Sequence, residues 1–479
     1  MYAVKSDSAG AFLKVKARLT LRGDLQKPPD DDTIPLITYA PTMKFYTLRA
    51  LLSLYVNRPG VKFYQMDLTA AYVTAPVARP TYIKTPPGRT TPFGAGATLQ
   101  VKRSLYGGKE AAYQFYKDQL AFHESHGFQA IHADQCYLHL YRGDEFIRIV
   151  FHVDDYVICC SGDEIFKWYV DVMETKYKIK IEPLNYFLGV AINIDKDGAV
   201  LDQAAQVQKT LKAFGMEDCK PAATPYAAGR QPSMADVSPS AEDEKEVKSF
   251  PYREVVGSLG YLQQATHPEI TFPLKIASKF VRGWGSAQVK LVKHVLRYLR
   301  RSQNNHHRLE GKHNGKLELY TDASHIGCPD TRRSVSGYVI KLGEDTIDFG
   351  AHYQPIVSHS SYESELIALD HGCRRLQHMR WLVEAMGAPV QGTINVYVDS
   401  QAVIDMTRNP LSSTRTAHIH ARYFRCRDWI EDGSIRLVKV PSEEQQADLL
   451  VAFKGPKTFN HMHGLVKGQQ GDMGKDGNK

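Results

Sequence analysis

Two adjacent aspartates stand inside FHVDDYVICC (residues 151–160), where most neighbours are aromatic, β-branched or thiols. Carboxylates about 5 Å apart repel by roughly 3 kcal/mol at an effective dielectric near 20, so Asp154 and Asp155 need a compensating arrangement. A turn facing solvent, a shared proton or a bound cation would each provide one. A third acid, Asp67, closes the strand-like run VKFYQMDL (61–68). Three carboxylates meeting at one sheet edge would hold two Mg²⁺ ions about 3.5–4 Å apart, the arrangement that clamps attacking and leaving oxygens in phosphoryl transfer. Oxygen donors favour Mg²⁺ over a softer metal, with Mn²⁺ as the alternative. On the pair alone, a solvated turn competes with this reading.

A second set of acids is Asp322, Glu365, Asp399 and Asp448. Asp322 lies in a predicted strand, and Asp399 ends the strand NVYVD. Glu365 falls in the first turns of a long helix, and Asp448 near the start of a short last one. Four acids from four elements could converge on one sheet edge and supply the oxygen ligands of a two-metal nuclease. Glu363 competes with Glu365 for its place.

The elements that must position these acids can be read from periodicity. FIRIVFHV and YVICCSG flank the aspartate pair as two β-rich runs, which puts Asp154 and Asp155 at the turn of a hairpin. EAAYQFYKDQLAFHESHGF (110–128) reads as a helix closed by Gly127. From residue 313 the order is strand, strand, strand, helix, strand, helix, strand, helix, with residues 361–387 as the long amphipathic helix. Residues 226–249 lack a hydrophobic period and read as a flexible linker, and 455–479 as a disordered tail. NNHH (304–307) and HMH (461–463) read as solvated.

The chain has 479 residues, 43% of them hydrophobic, and a net charge of +8, which permits a polyanionic partner without demanding one. Its seven cysteines form no C-x-x-C pair, which argues against a zinc ribbon or a disulfide framework and for a reducing compartment. With no apolar run of membrane length and no signal peptide, the expected location is cytoplasmic, possible also in the nucleus, with no membrane partner.

Taken in order, YQMDLTAAYV, RSLYGGKEAAYQFY, FHVDDYVICCSG, NYFLGVAI, PYREVVGSLGYLQQATHPEI, TDAS, SSYESELIAL, VDSQAV, RTAHIHARYF and QADLL resemble a copia-type LTR-retrotransposon reverse transcriptase and its ribonuclease H domain. The resemblance runs from about Val15 to Phe453. It implies an α+β right-hand polymerase of fingers, palm and thumb followed by an α/β ribonuclease H-like domain. The expected boundaries are 1–190 for fingers and palm, 191–225 for the primer grip and thumb entry, 226–249 for the linker, 250–312 for a helical thumb or connection, and 313–454 for the ribonuclease H-like domain.

By the same resemblance, Asp67, Asp154 and Asp155 are the polymerase metal ligands, and Asp322, Glu365, Asp399 and Asp448 those of the nuclease. Each site would take two Mg²⁺. Tyr72 matches the aromatic gate at the sugar 2′ position, with a packed aromatic as the competing reading. Leu188 and Gly189 match the primer-grip turn, with buried sheet packing as the competing reading. Lys14, Lys16 and Arg18 match cations offered to the triphosphate, with a solvated charged strand as the competing reading, and Glu110 a nucleotide- and template-facing position. His418 has either a proton-transfer or a packing and phosphate role. Lys290, Lys293, Arg297 and Arg300 form one stripe of a helix, either solvated or following duplex phosphates. The implied partners are an RNA template, a DNA primer, an RNA–DNA hybrid and dNTPs; oligomeric state is left open.

Three departures mark the sequence. His152 stands where the family has tyrosine, and Glu110 where it has glutamine, a negative charge that is unfavourable beside a triphosphate unless paired. The start before VKARL is short, as in a processed unit or a fragment of a polyprotein. The rival reading is a non-catalytic nucleic-acid-binding relic. Seven clustered carboxylates, which a pure binder of a polyanion would not need, argue against it.

Overall fold

The computed structural model describes residues 2–6, 12–17, 19–26, 36–85, 92, 94, 96–237, 244–313, 315–408 and 425–468. The chain divides into two units, one of Met1–Lys44 with Gly60–Leu184, the other of Phe45–Pro59 with Asn185–Lys479. Helix α1 (Phe45–Tyr55) therefore belongs to the second unit although the first flanks it in sequence.

The first unit contains the hairpins β1 (Tyr2–Ser6) with β2 (Phe12–Ala17) and β4 (Pro76–Lys84) with β5 (Thr98–Arg103). Its main sheet is built from β3 (Lys62–Thr69), β6 (Gln129–Ile131), β7 (Asp134–Arg142), β8 (Glu145–His152), β9 (Asp155–Cys160) and β10 (Lys178–Pro183), in the order β10-β3-β9-β8-β7-β6. All these pairs are antiparallel. The continuous apolar runs around the aspartate pair become the buried strands β8 and β9, as expected where both faces of a sheet are covered. Helices α2 (Ala111–Ser125) and α3 (Asp163–Glu174) meet over this sheet. His123 of α2 bonds Tyr169 of α3 at 3.0 Å, and Tyr156 of β9 donates to Gln119 of α2 at 2.5 Å.

The second unit opens with β11 (Tyr186–Phe187), β12 (Val190–Asp195) and β13 (Gly198–Asp202), which join β14 (His307–Leu309) in a four-stranded sheet. Between them lie α4 (Ala204–Ala213), α5 (Glu244–Ser249), α6 (Tyr252–Ala265), α7 (Thr271–Ser278) and α8 (Ser286–Arg301). The 3.6-residue period of α8 buries Val289, Val292, Val295, Leu296 and Leu299 in a core shared with Leu259 and Ile276. Then follow β15 (Leu317–Ser324), β16 (Val335–Leu342), β17 (Asp345–Tyr353), α9 (Ser361–Ala385), β18 (Ile394–Val398), α10 (Gln401–Arg408), α11 (Cys426–Glu431), β19 (Ile435–Lys439) and α12 (Pro456–Lys467). The five strands take the order β17-β16-β15-β18-β19, with β15, β18 and β19 parallel. Gly372 lets α9 approach β15 closely, since a Cβ there would lie 2.3 Å from the Thr321 methyl.

Helix α1 is held in the second unit by polar bonds as well as packing. The buried Arg49 donates to the carbonyls of Ile347, Gln264 and Ala265 at 2.8–2.9 Å, and Ser53 donates to Asp345 at 2.6 Å.

Several local expectations change. The expected tail contains α12, whose Phe459, Met462, His463 and Val466 are buried on one helical face; residues 469–479 lie outside the described set. His463 and His307 are buried, not solvated: the first sits on that face of α12, and the second points inward from β14 to the Thr346 carbonyl at 2.9 Å. Residues 226–249 include a 3-10 turn at Met234–Val237 and α5, and Tyr226, Ser233 and Val247 are buried. No helix among the described residues is long and apolar enough to cross a membrane.

Candidate active sites

In the first unit Asp67 lies directly opposite Asp155 across the β3–β9 ladder. Asp154 occupies the two-residue turn between β8 and β9, and its carbonyl accepts from the Leu68 amide at 2.9 Å. Val153, the other turn residue, has φ of 61°, a left-handed conformation that costs a β-branched residue energy and recurs at functional hairpins. Burial, with Asp154 and Asp67 adding like charge, pushes the Asp155 carboxyl up to about 6. A carboxylate crowded by two others suits a cation shared among them.

Tyr72 lies in the 3-10 turn Ala71–Thr74, packed edge-on to Tyr106 with ring centres 4.8 Å apart. Burial first, then the Asp154 carboxylate, raises its phenol pKa, so the ring is within electrostatic reach of the acids. Glu110 is paired: Arg79 reaches its carboxylate at 2.8 Å, with both side chains largely buried. Nothing in the residue pattern announces this pair, because the partners lie 31 residues apart. His152 stands opposite Asp155 in the hairpin, its Nδ1 buried without a hydrogen-bond partner. Lys14 and Lys16 lie on β2, with side chains outside the description; Arg18 and His418 lie outside the described residues altogether.

In the second unit Leu188 and Gly189 make the β11–β12 turn with φ of 44° and 71°, and the Tyr261 hydroxyl donates to the Leu188 carbonyl. The α8 stripe is partly committed. Arg297 donates to the Lys220 carbonyl at 2.6 Å, and Arg300 donates to the Cys219 carbonyl, so these two hold the preceding segment. Lys290 is exposed and, with Lys293, borders a cavity of about 470 Å³ that Met216 and Leu291 also line.

The other acids gather at the C-terminal ends of β15 and β18. One carboxylate oxygen from each of Asp322, Glu365 and Asp399 lies within 4.8 Å of the others. Asp448, in the 3-10 turn Gln446–Leu450, shares a hydrogen bond with Asp322 and accepts from Lys454. Burial, followed by Asp448 and Asp399, drives the Asp322 carboxyl well above the usual range; burial, Asp322 and Asp399 do the same to Glu365. Ser442 donates to Asp399 at 3.0 Å. Glu363 is occupied at the start of α9, accepting from the His359 amide at 2.7 Å while its own amide donates to the N-cap hydroxyl of Ser360. Among the described residues only the Asp322, Glu365 and Asp399 set brings three possible metal ligands this close.

An antiparallel palm-like sheet with acids across two strands, and a β17-β16-β15-β18-β19 sheet with acids at its parallel ends, have the layout of a right-hand polymerase fold followed by a ribonuclease H-like domain. The profile of the family described as reverse transcriptase (RNA-dependent DNA polymerase) matches residues 1–228. The Retrovirus-related Pol polyprotein from transposon TNT 1-94 of Nicotiana tabacum is 27% identical over 94% of this chain and 34% of its own length. The corresponding polyprotein from transposon RE2 of Arabidopsis thaliana is 27% identical over 98% of this chain and 32% of its own. A foamy viral protease-reverse transcriptase, solved with double-stranded DNA, aligns at 15% identity over 92% of this chain and 64% of that one, with a TM-score of 0.47. The chain belongs to the copia-type retrotransposon reverse transcriptases and spans about a third of the length of these curated relatives.

Proposed function

We propose that the chain is an RNA-directed DNA polymerase that also hydrolyses the RNA strand of RNA–DNA hybrids. The observation that carries this reading is Asp67 facing Asp155 beside the Asp154 turn, three mutually repelling carboxylates on adjacent strands. These three would hold two Mg²⁺, or Mn²⁺ in their place, and Asp322, Glu365, Asp399 and Asp448 would hold two more. Bound there, the ions would activate the primer 3′-hydroxyl or the hydrolytic water and offset charge on the departing oxygens.

The residues around the polymerase acids have the remaining work. Tyr72 would screen the sugar 2′ position and so favour dNTPs, while Lys14, Lys16 and Arg18 would face the triphosphate. Arg79 neutralises Glu110, which removes the objection to an acid at a nucleotide-facing position. The Leu188–Gly189 turn would bear on the primer strand, and Lys290 with Lys293 on phosphates of template or hybrid.

Primer extension on an RNA template with Mg²⁺ and dNTPs tests the polymerase. Wild type should give product, and Asp155→Asn should lose it by at least a hundredfold, the scale of removing one transition-state contact. Absence of product from wild type, or equal product from the variant, favours the non-catalytic relic. Hybrid cleavage should likewise vanish in Asp399→Asn.

A further inference from the structure

The β15–β18 ladder runs from Glu318 opposite Asn395 to Tyr320 opposite Tyr397 and then stops. Beyond it the strands part, and this fork carries Asp322 on one arm and Asp399 on the other. Carbonyls at such a fork lose their ladder partners and must find others. Here one side chain meets the need. Gln445, fully buried, donates from Nε2 to the Thr321 carbonyl at 3.1 Å and to the Tyr397 carbonyl at 3.3 Å. Its Oε1 accepts from the Ala447 amide at 3.3 Å, capping the 3-10 turn that bears Asp448. Both amide protons and the amide oxygen are thus used.

We propose that Gln445 is a positioning residue for the nuclease site, one primary amide fixing the separation of the three backbone segments that present Asp322, Asp399 and Asp448. Thr321 immediately precedes Asp322, Tyr397 lies two residues before Asp399, and Ala447 immediately precedes Asp448. No other amino acid type supplies two donors and one acceptor at this reach: asparagine is one carbon short, glutamate has no donor when ionised, and methionine has neither. The acids repel one another, so without the latch the fork should open and metal affinity should fall. This inference rests on the nuclease half of the proposed function.

Gln445→Met keeps the side-chain length and removes the donors. Half-saturation of hybrid cleavage should move to at least tenfold higher Mg²⁺, the usual scale for a residue that orients metal ligands. Primer extension by the same preparation should be unchanged. Calorimetric titration with Mn²⁺, in an Asp155→Asn background, should show the same weakening, with Asp399→Asn marking full loss of the nuclease site. A lower rate at an unchanged metal midpoint would reduce Gln445 to a packing role and overturn the proposal. If wild type cleaves no hybrid, the nuclease reading fails while the Mn²⁺ titration still decides the role of Gln445. Should the methionine variant not fold, hydrogen exchange in wild type serves. By linkage, saturating Mg²⁺ should slow exchange at the Ala447 amide, and an unaltered rate there overturns the proposal.

Discussion

Asp155 is a residue whose stability and proposed activity pull in opposite directions. Its folded carboxyl titrates near 6, against 3.8 for an unperturbed aspartate, because burial and two neighbouring carboxylates disfavour the charge. Between about pH 4 and 6 the folded state therefore holds more protons than the unfolded one, and stability contributed here falls as pH rises through that window. In EDTA at pH 7, Asp155→Asn should raise stability by about 1–2 kcal/mol and flatten the wild-type slope between pH 4 and 6. Thermal unfolding across that range measures both. That these acids come together was legible in the sequence, from their place at the ends of strand-like runs and from the resemblance of the motifs that carry them. Arg79 and Gln445 were not, since each matters through partners far away in the chain, and neither arginine nor glutamine has a pattern that announces such a partner.

At the scale of elements, periodicity was informative wherever one face of a helix or strand is buried. The strands around Asp67 and Asp154, the long helix α9 and the buried stripe of α8 follow it directly. It misled where polar residues turn inward. The His463 ring and the Lys467 ammonium lie on the buried face of α12, so a histidine-rich segment of low apolar content resembled solvent-exposed chain. The cations of α8 divide in the same manner. Arg297→Met should destabilise the second unit by about 1–2 kcal/mol, the worth of a hydrogen bond from a charged donor, and leave the salt dependence of nucleic-acid binding unchanged. Lys290→Gln should do the reverse, lowering the slope of log affinity against log salt by about one. Urea unfolding and fluorescence anisotropy over a salt series separate the two.

The whole second unit is pinned by buried charge. Glu269 is fully buried, bonded to His267 at 2.9 Å, with Lys467 at 3.6 Å and Tyr298 at 3.4 Å. Although burial acts to raise it, Lys467 and His267 hold the Glu269 carboxyl well below its usual range. Lys467→Met should cost about 3–5 kcal/mol, because it strands a buried carboxylate, and the double variant Glu269→Leu with Lys467→Met should recover most of it. Equal unfolding midpoints for the single and double variants would remove the ion pair from this account.

The same unit owes part of its interior to α1, whose Ser53 bonds Asp345, a partner 292 residues further along. On a ribosome adding roughly 5–20 residues per second, that helix emerges some 15–60 seconds before the strand it packs against. Until then its leucines lack the part of their native cover that β17 supplies, so newly made chains should depend on a holdase and should aggregate when translation is slowed. Separately expressed halves should be similarly insoluble wherever the cut falls between α1 and β17.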